Sequence, residues 1–482
     1  MHELFSRLKG LSPVRLAFFG SLLLSLVAVL GTSVIDRDAA LYLTIAQRII
    51  EQGPQVAFQI FDWPWFIFLL VGTHSLLHLP LLLSATLWCA LFMAGTCALM
   101  VDIVRQRVPA ASYWACLVVL AMPAFNQFRY DILREFGFWF FCVLALWQAM
   151  RWQAKGGWLQ ALLIHLAIAA AALFRLEALM LLPALLAWQL LGVRDGHWGR
   201  ILQFVALPAL GVVLAAAWLF SHGGVHSGRV GVYLNMLDPH QVLGAFNTLS
   251  EQFGNSLVNK YSRDEAGRIV FFGLLASLFI KFVMVSGPFA APFLYRRSWA
   301  AVRVYGREFR PLALAALCYV IVLMLFYLRE QFLNSRYVSF LNLLAVPLAA
   351  VALMVFAERF PRLGKAVVVL ALLVMTDNVL TLGAQKTHYV QAGHWLAEHV
   401  EAATPVYYDD GRIAYYAGRG YVVPTITRED AMSPAHVGEY RYFLVEARGD
   451  EPWLQAWLAR EHKQVLEHYA NRKGATVLVI GD

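Results

Sequence analysis

The sequence predicts a polytopic α-helical membrane protein with a small α/β domain near its C-terminal end. Three observations predict it. Of the 482 residues, 60% are hydrophobic and only 15% are charged, against about 25% charged in a typical soluble domain. The apolar residues form repeated runs near the roughly 20 residues that a bilayer span needs. From about residue 383 the composition changes, with dense charge and more Pro, Gly and Tyr. An ordinary soluble enzyme and a disordered chain are both excluded, the second because the chain is too apolar and too aromatic.

About eleven spans follow from the apolar runs: 15–35, 80–104, 111–125, 136–152, 158–174, 178–193, 201–220, 270–294, 311–328, 337–357 and 365–382. A further run, 64–78, reads as re-entrant or interfacial. The opening MHELFSRLKG and its apolar segment lack an A-x-A-like site, which predicts a retained first helix. The five cysteines, Cys89, Cys97, Cys116, Cys142 and Cys318, lie inside apolar runs and imply neither disulfides nor a metal site. The net charge of +8 is spread in short clusters between spans and does not argue for nucleic acid.

Basic residues set the expected orientation. With the N-terminus cytoplasmic, the inner loops carry Arg7, Lys9 and Arg15; Arg105 and Arg107; Arg151 and Lys155; and Arg194 and Arg200. They also carry Arg296, Arg297, Arg303, Arg307 and Arg310, and finally Arg359, Arg362 and Lys365. Their only acids are Glu3, Asp102, Asp195, Glu308 and Glu358. An odd span count then puts the C-terminal part outside. Two domains are expected, a transmembrane domain 1–382 and an extracytoplasmic domain 383–482. In the latter, His388–Ala403 and Pro452–His462 read as helices, and Pro405–Asp410, Tyr440–Ala447 and Ala475–Ile480 as strands.

The first outer loop places Thr44, Gln47, Arg48 and Glu51 at helical spacing on one polar face, with Leu41, Leu43, Ile45, Ala46, Ile49 and Ile50 covering much of the rest. This predicts an amphipathic helix in the membrane interface. Asp36 and Asp38 stand at its start. A carboxylate there caps the helix, acts as general base toward a hydroxyl or coordinates a cation. Asp62 precedes Pro64 at the loop's end, within Trp63-Pro64-Trp65.

Further ionisable residues recur at the same expected depth. Arg129, Asp131, Arg134 and Glu135 precede the fourth span, and the two arginines either neutralise the acids or bind an anion such as phosphate. Arg175 and Glu177 sit between two apolar helices, and Arg329, Glu330, Arg336 and Tyr337 lie at the ends of the ninth and tenth spans. Lys281 lies midway along an apolar run, where a charge either serves function or pairs within the bundle, for example with Asp377. The outer loop 221–268 holds His222, His226, His240, Asp238, Asp264 and Glu265 without a zinc-site spacing, and its length suggests a lid or acceptor loop. Acids and arginines gathered at one face suit a substrate with a lipid tail and a polar head.

These residues resemble the GT-C superfamily of integral-membrane glycosyltransferases, in particular the bacterial branch similar to protein O-mannosyltransferases and the lipid A aminoarabinose transferase. IDRDAALYLTIAQRIIEQG with FDWP resembles the family's acidic first loop, and RYDILREFGFWFF its second acidic segment. FRLEALMLLPALL, SRYVSFLNLLAVPLAA and WLAEHV…TPVYYDDGRIAYYAGR resemble its Arg-acid hairpin, its late Arg-Tyr span and its outer domain. The resemblance implies transfer of a sugar from a polyprenyl-phosphate donor to a glycolipid, glycan or protein acceptor at the outer face of a bacterial inner membrane. Asp38 or Asp36 would be the base, and attack from the opposite face would invert the anomeric carbon. Arg129, Arg134, Arg336 and Lys281 would meet the charge on the leaving phosphate. Membrane lipids are partners and nucleic acid is not. No cofactor is certain, and a divalent metal is used by only some branches. A transporter or lipid flippase is the competing class, but it would place its charges near the midplane and show paired repeats. A third class is a non-catalytic scaffold presenting the C-terminal domain.

Overall fold

A computed structural model describes residues 11–191, 198–221, 231, 233, 235–236, 238–380 and 385–482. Glu3, Arg7, Lys9, Arg194, Asp195, His222 and His226, with the ends of the expected spans 178–193 and 365–382, lie outside the described residues. The chain is an integral membrane protein, mostly helical, with a small sheet near its C-terminal end. Among the described residues six helical segments are long and apolar enough to cross a bilayer: Pro13–Leu30, Leu81–Arg107, Ala266–Leu294, Arg296–Glu330, Ser335–Arg359 and Pro361–Leu380.

Packing divides the chain into two compact units. The first comprises Met1–Leu26, Leu87–Arg129 and Arg134–Val379, and the second Val27–Thr86, Tyr130–Leu133 and Leu380–Asp482.

The first unit is built around the Ser335–Arg359 helix, whose most apolar stretch is 67% buried, against 17% for Pro361–Leu380. The difference follows from side-chain size. Ala349, Ala350 and Ala352 let neighbouring helices approach closely. The ring of Phe340 packs against Phe138 and Tyr319 at 4.6 and 4.9 Å. Asn342 Nδ2 donates to Ser286 Oγ at 2.7 Å and to the Phe282 carbonyl at 3.0 Å, so its buried amide holds a neighbouring helix. Leucines such as Leu363, Leu370 and Leu373 remain exposed on Pro361–Leu380, as a lipid-facing helix requires.

The expected span 111–125 is interrupted, for a local reason. Pro123 cannot donate a backbone hydrogen bond, and the helix Ser112–Ala121 stops at the extended Met122. The helix Trp158–Phe174 matches the expected span 158–174, and the extended Arg175 separates it from the 3-10 turn Leu176–Met180. The run expected as re-entrant is the helix Trp65–Leu77. At about 1.5 Å per residue its 13 residues fall short of a bilayer's ~30 Å core. The described residues of the loop expected over 221–268 are largely helical, with Pro239–Ser256 capped by Asp238 and Lys260–Asp264 capped by Asn259. Glu265 pairs with Arg268 at 2.9 Å.

The second unit joins the first loop to the C-terminal residues. Its four-stranded sheet has β1 (Val406–Tyr408), β2 (Tyr442–Glu446), β3 (Gln464–Ala470) and β4 (Thr476–Gly481), in the order β1-β2-β4-β3. β1 and β2 are parallel with Val406 opposite Tyr442, and the other pairings are antiparallel. Alternating residues serve the two faces. Tyr408, Leu444, Val477 and Val479 pack with Tyr389 and Leu396 of the Thr387–His399 helix. Tyr407, Phe443, Leu478 and Ile480 pack with Leu454 and Trp457 of Pro452–Glu461. The two expected helices and three expected strands of this region are present, and β3 is an additional edge strand.

Tight helix contact in the first unit gives a sign test. A Cβ on Gly137, in the helix Glu135–Lys155, would run into the Phe174 ring, whereas one on Gly244, in Pro239–Ser256, would meet nothing within 4 Å. Alanine at an open helical site stabilises by up to about 1 kcal/mol, while overpacking costs about 1–3 kcal/mol. Gly137→Ala should therefore lower the thermal midpoint of the purified protein and Gly244→Ala should raise or hold it. Equal shifts in one direction would contradict the packing.

Candidate active-site clusters

In the second unit, Asp36 is the N-cap of the helix Arg37–Gln52. Its Oδ1 accepts from Ala39 N at 3.1 Å and, at 3.5 Å, from Ile132 N. Asp38 is in the first turn, where a negative charge favours the helix dipole. Both aspartates are half-buried. Asp131 also belongs to this unit. Burial, then the fields of Asp131 and Asp36, push the Tyr130 hydroxyl up to about 12. Asp62 is exposed in the bend before Pro64.

The helix Arg37–Gln52 is amphipathic, but it is enclosed on more than its apolar side. Tyr42 packs edge-on against Phe61 and Phe66 at 5.8 and 5.6 Å. Thr44, expected on the exposed polar face, is buried, and its Oγ1 accepts from Tyr421 N at 2.8 Å. Gly420 makes this approach possible at φ +76°, since a Cβ there would lie 3.0 Å from Thr44 Cγ2. Arg37 donates to Asp410 Oδ2 at 2.8 and 2.9 Å, and Ile35 N donates to Tyr416 Oη at 2.8 Å.

Asp410 is the charge centre of this unit. Arg412 donates to both of its oxygens at 2.8–2.9 Å, and Arg412 N donates to Oδ1 at 3.0 Å. Burial opposes ionisation of Asp410, but Arg412, with Arg37, outweighs it and holds the carboxyl at about 2. Tyr389 donates to Glu446 Oε2 at 2.5 Å, and burial followed by that bond raises its hydroxyl above the ordinary range.

In the first unit, Glu135, Arg175, Glu177, Arg336 and Tyr337 come together. Arg175 Nη1 donates to Glu135 Oε1 at 2.7 Å and Nε to Glu177 Oε1 at 3.1 Å, and Nη2 also pairs with Glu177. The Arg175 guanidinium lies 4.7 Å from the Tyr337 ring centre. Arg336 Nε is 3.5 Å from Glu135 Oε1, and its guanidinium is 5.3 Å from the same ring. Tyr319 Oη donates to the Tyr337 carbonyl at 2.9 Å. Two arginines and two glutamates thus balance in charge, with Glu135 Oε2 and Glu177 Oε2 lacking hydrogen-bond partners among the described residues. Arg134 stands at the N-cap of the helix that Glu135 begins.

Arg129 forms a separate site. It is 3% exposed, and its Nε donates to Asn126 Oδ1 at 2.8 Å. Nη1 reaches Ser21 Oγ and Ser25 Oγ at 2.9 and 3.1 Å, and Nη2 has no partner among the described residues. No carboxylate pairs with it among those residues, so its charge rests on neutral oxygens. Lys281 is half-buried in Ala266–Ser286, and among the described residues it pairs with neither Asp377 nor any other acid. No group of three or more His, Cys, Asp or Glu side chains is placed to hold a metal among the described residues.

Sequence reasoning missed Asp410, Arg412, Thr44's buried role and Tyr319. Asp410 and Arg412 had a signal, since a carboxylate two residues before an arginine ends a strand in PVYYDDGR.

The fold is that of the GT-C membrane glycosyltransferases. It is similar to ArnT from Cupriavidus metallidurans bound to undecaprenyl phosphate, with 15% identity, TM-score 0.60, and 97% of each chain covered. The apo state of the same protein matches at 15% identity and TM-score 0.56, covering 94% of this chain and 95% of that one. The Archaeoglobus fulgidus oligosaccharyltransferase, solved with a tethered acceptor peptide containing the NVT sequon, matches at 11% identity and TM-score 0.51. That comparison covers 96% of this chain and 74% of that one. No family model and no curated protein matches the sequence.

The Asp410 pair yields a pH prediction. Its carboxyl at about 2 lies below the ordinary value of about 3.9. Its contribution, ~2–3 kcal/mol, is therefore complete above about pH 4 and lost as pH falls toward 2. Asp410→Asn should destabilise the second unit by about 3 kcal/mol at neutral pH and remove that part of the acid sensitivity. Denaturant-dependent proteolysis at several pH values checks both. Arg37 is 61% exposed in its side chain, so Arg37→Ala should cost less than about 1 kcal/mol.

Proposed function

We propose that this protein is a glycosyltransferase that moves a sugar from a polyprenyl-phosphate donor to an acceptor hydroxyl on the outer face of a bacterial inner membrane. The observation that carries this reading is the fold, shared over 97% of the chain with a protein solved with undecaprenyl phosphate bound. The orientation proposed from the basic loops, cytoplasmic N-terminus and extracytoplasmic residues 383–482, puts the first loop on that outer face.

Chemically, the acceptor oxygen forms a bond to the anomeric carbon. A carboxylate takes the acceptor proton, and the bond to the donor phosphate breaks with its electron pair leaving on polyprenyl phosphate. Attack opposite the leaving group inverts the centre. Asp38 is the preferred base. Asp36 Oδ1 already accepts backbone N–H groups as the helix cap, so that carboxylate has a structural role in starting the helix.

The remaining roles follow the chemistry of each side chain. Arg129, Arg134, Arg336 and Lys281 are candidates for stabilising the phosphate as charge develops on it. Arg129 fits that role best, because a buried guanidinium without a carboxylate attracts an anion strongly. Arg175, Glu177 and Glu135 act by positioning Tyr337 and Arg336. Asp131 and Asp62 are candidates for orienting acceptor hydroxyls.

Asn can keep a helix cap while removing the charge, so Asp36→Asn and Asp38→Asn separate folding from chemistry. Asp38→Asn should reduce transfer by ~10²–10⁴-fold at a stability cost of no more than about 1 kcal/mol from the lost charge in the first turn, and Asp36→Asn should reduce transfer less. Transfer would be followed by mass spectrometry of envelope glycolipids and glycans from cells carrying each variant in place of the wild type. The mass absent from a deletion strain identifies sugar and acceptor together. Full transfer by both variants and by the double variant would overturn the base assignment.

A further inference from the structure

A cavity of about 470 Å³ lies within the second unit, beside the first-loop helix. The size is within the roughly 300–1,000 Å³ of small-molecule sites. One wall is the polar stripe of the helix, with Gln47, Arg48 and Glu51. The facing wall is Tyr415 and the turn at Gly418–Gly420, and Leu81 and Leu82 close a third side.

The cavity is preformed. Gly418 and Gly420, at φ +72° and +76°, flank Arg419 in a turn that side chains with a Cβ rarely adopt. Arg419 anchors the turn by donating to the Val400, Glu401 and Thr404 carbonyls at 2.9, 2.7 and 3.1 Å. The bond from Tyr421 N to Thr44 fixes its other side to the helix. The turn is thereby held at a set distance from the polar stripe.

The lining chemistry selects among ligands. Gln47 Nε2 donates to Glu51 Oε1 at 2.7 Å, which orients the Gln47 carbonyl and the second Glu51 oxygen as acceptors. Arg48 supplies donors on the adjacent position. A phosphate calls for donors alone, and a carboxylate beside it is repulsive. Donors and acceptors side by side suit hydroxyl groups, which do both. The half-buried Tyr415 ring gives a flat apolar surface for the C–H face of a sugar ring. Leu81 and Leu82, the latter 46% exposed, give an apolar wall for a hydrocarbon attached to that ring.

We infer that this cavity binds a sugar ring of the acceptor, and that the acceptor is a glycolipid. The assignment of the ring to the acceptor rests on the proposed function; sugar binding itself does not.

The test uses the purified full-length protein in detergent and a panel of methyl glycosides of glucose, galactose, mannose and N-acetylglucosamine, with saturation-transfer NMR as readout. At least one glycoside should bind, and Gln47→Ala and Glu51→Gln should each weaken it at least fivefold. Inorganic phosphate should not displace it. Failure of every glycoside to bind, binding indifferent to both cavity variants, or displacement by phosphate would overturn the inference. Glycoside binding that responds to the cavity variants in a protein without transferase activity would retain the sugar site and reject the proposed function. In an active protein, Gln47→Ala should raise KM for the acceptor and leave KM for the donor in place; the reverse split would overturn the assignment to the acceptor.

Discussion

Arg175 is the interaction on which the first unit depends. Removing a charge from water costs several kcal/mol per ion, and an apolar chain has few groups to offset it. Glu135 begins one helix, Arg175 ends another, Glu177 opens the next turn and Arg336 starts the central Ser335–Arg359 helix. Their pairing at 2.7–3.5 Å brings four segment ends to one place. Between apolar helices, where lipid competes equally for apolar faces, such a knot defines register in a way that leucine packing alone does not. Tyr337 adds a ring against which both guanidinium groups lie.

The second unit solves a different problem. Its sheet carries two apolar faces, each covered by a helix, as a small α/β layer requires. Its charge centre, Asp410, links the end of β1 to Arg412 and to Arg37 of the first loop. The first-loop helix is therefore part of the same packed body as residues almost at the other end of the sequence.

Apolar run length and composition made the membrane class and the C-terminal change of character legible, because both are properties of local sequence. The amphipathic helix was legible for the same reason, and the structure places it at Arg37–Gln52. Thr44 was not, since its burial comes from Tyr421, a partner 377 residues away. The edge strand β3 was missed because its residues are mostly exposed and QVLEHYA carries a weak apolar alternation with a bulge between Val465 and Glu467. The grouping of Glu135, Arg175, Glu177 and Arg336 was legible only as four charges at one expected depth. Which carboxylate meets which guanidinium depends on helix packing, which no local pattern encodes.

The union of first loop and C-terminal residues has a consequence in time. Arg37 and Asp410 are 373 residues apart in the chain. At about 5–20 residues per second of synthesis, the loop waits roughly 20–75 s for its partner. During that interval Tyr416, Tyr421 and Asp410 do not yet exist to bind Ile35, Thr44 and Arg37. The order of manufacture thus leaves the first loop without Tyr416, Tyr421 and Asp410 until those residues are made, so the second unit closes only after the long apolar helices have been synthesised.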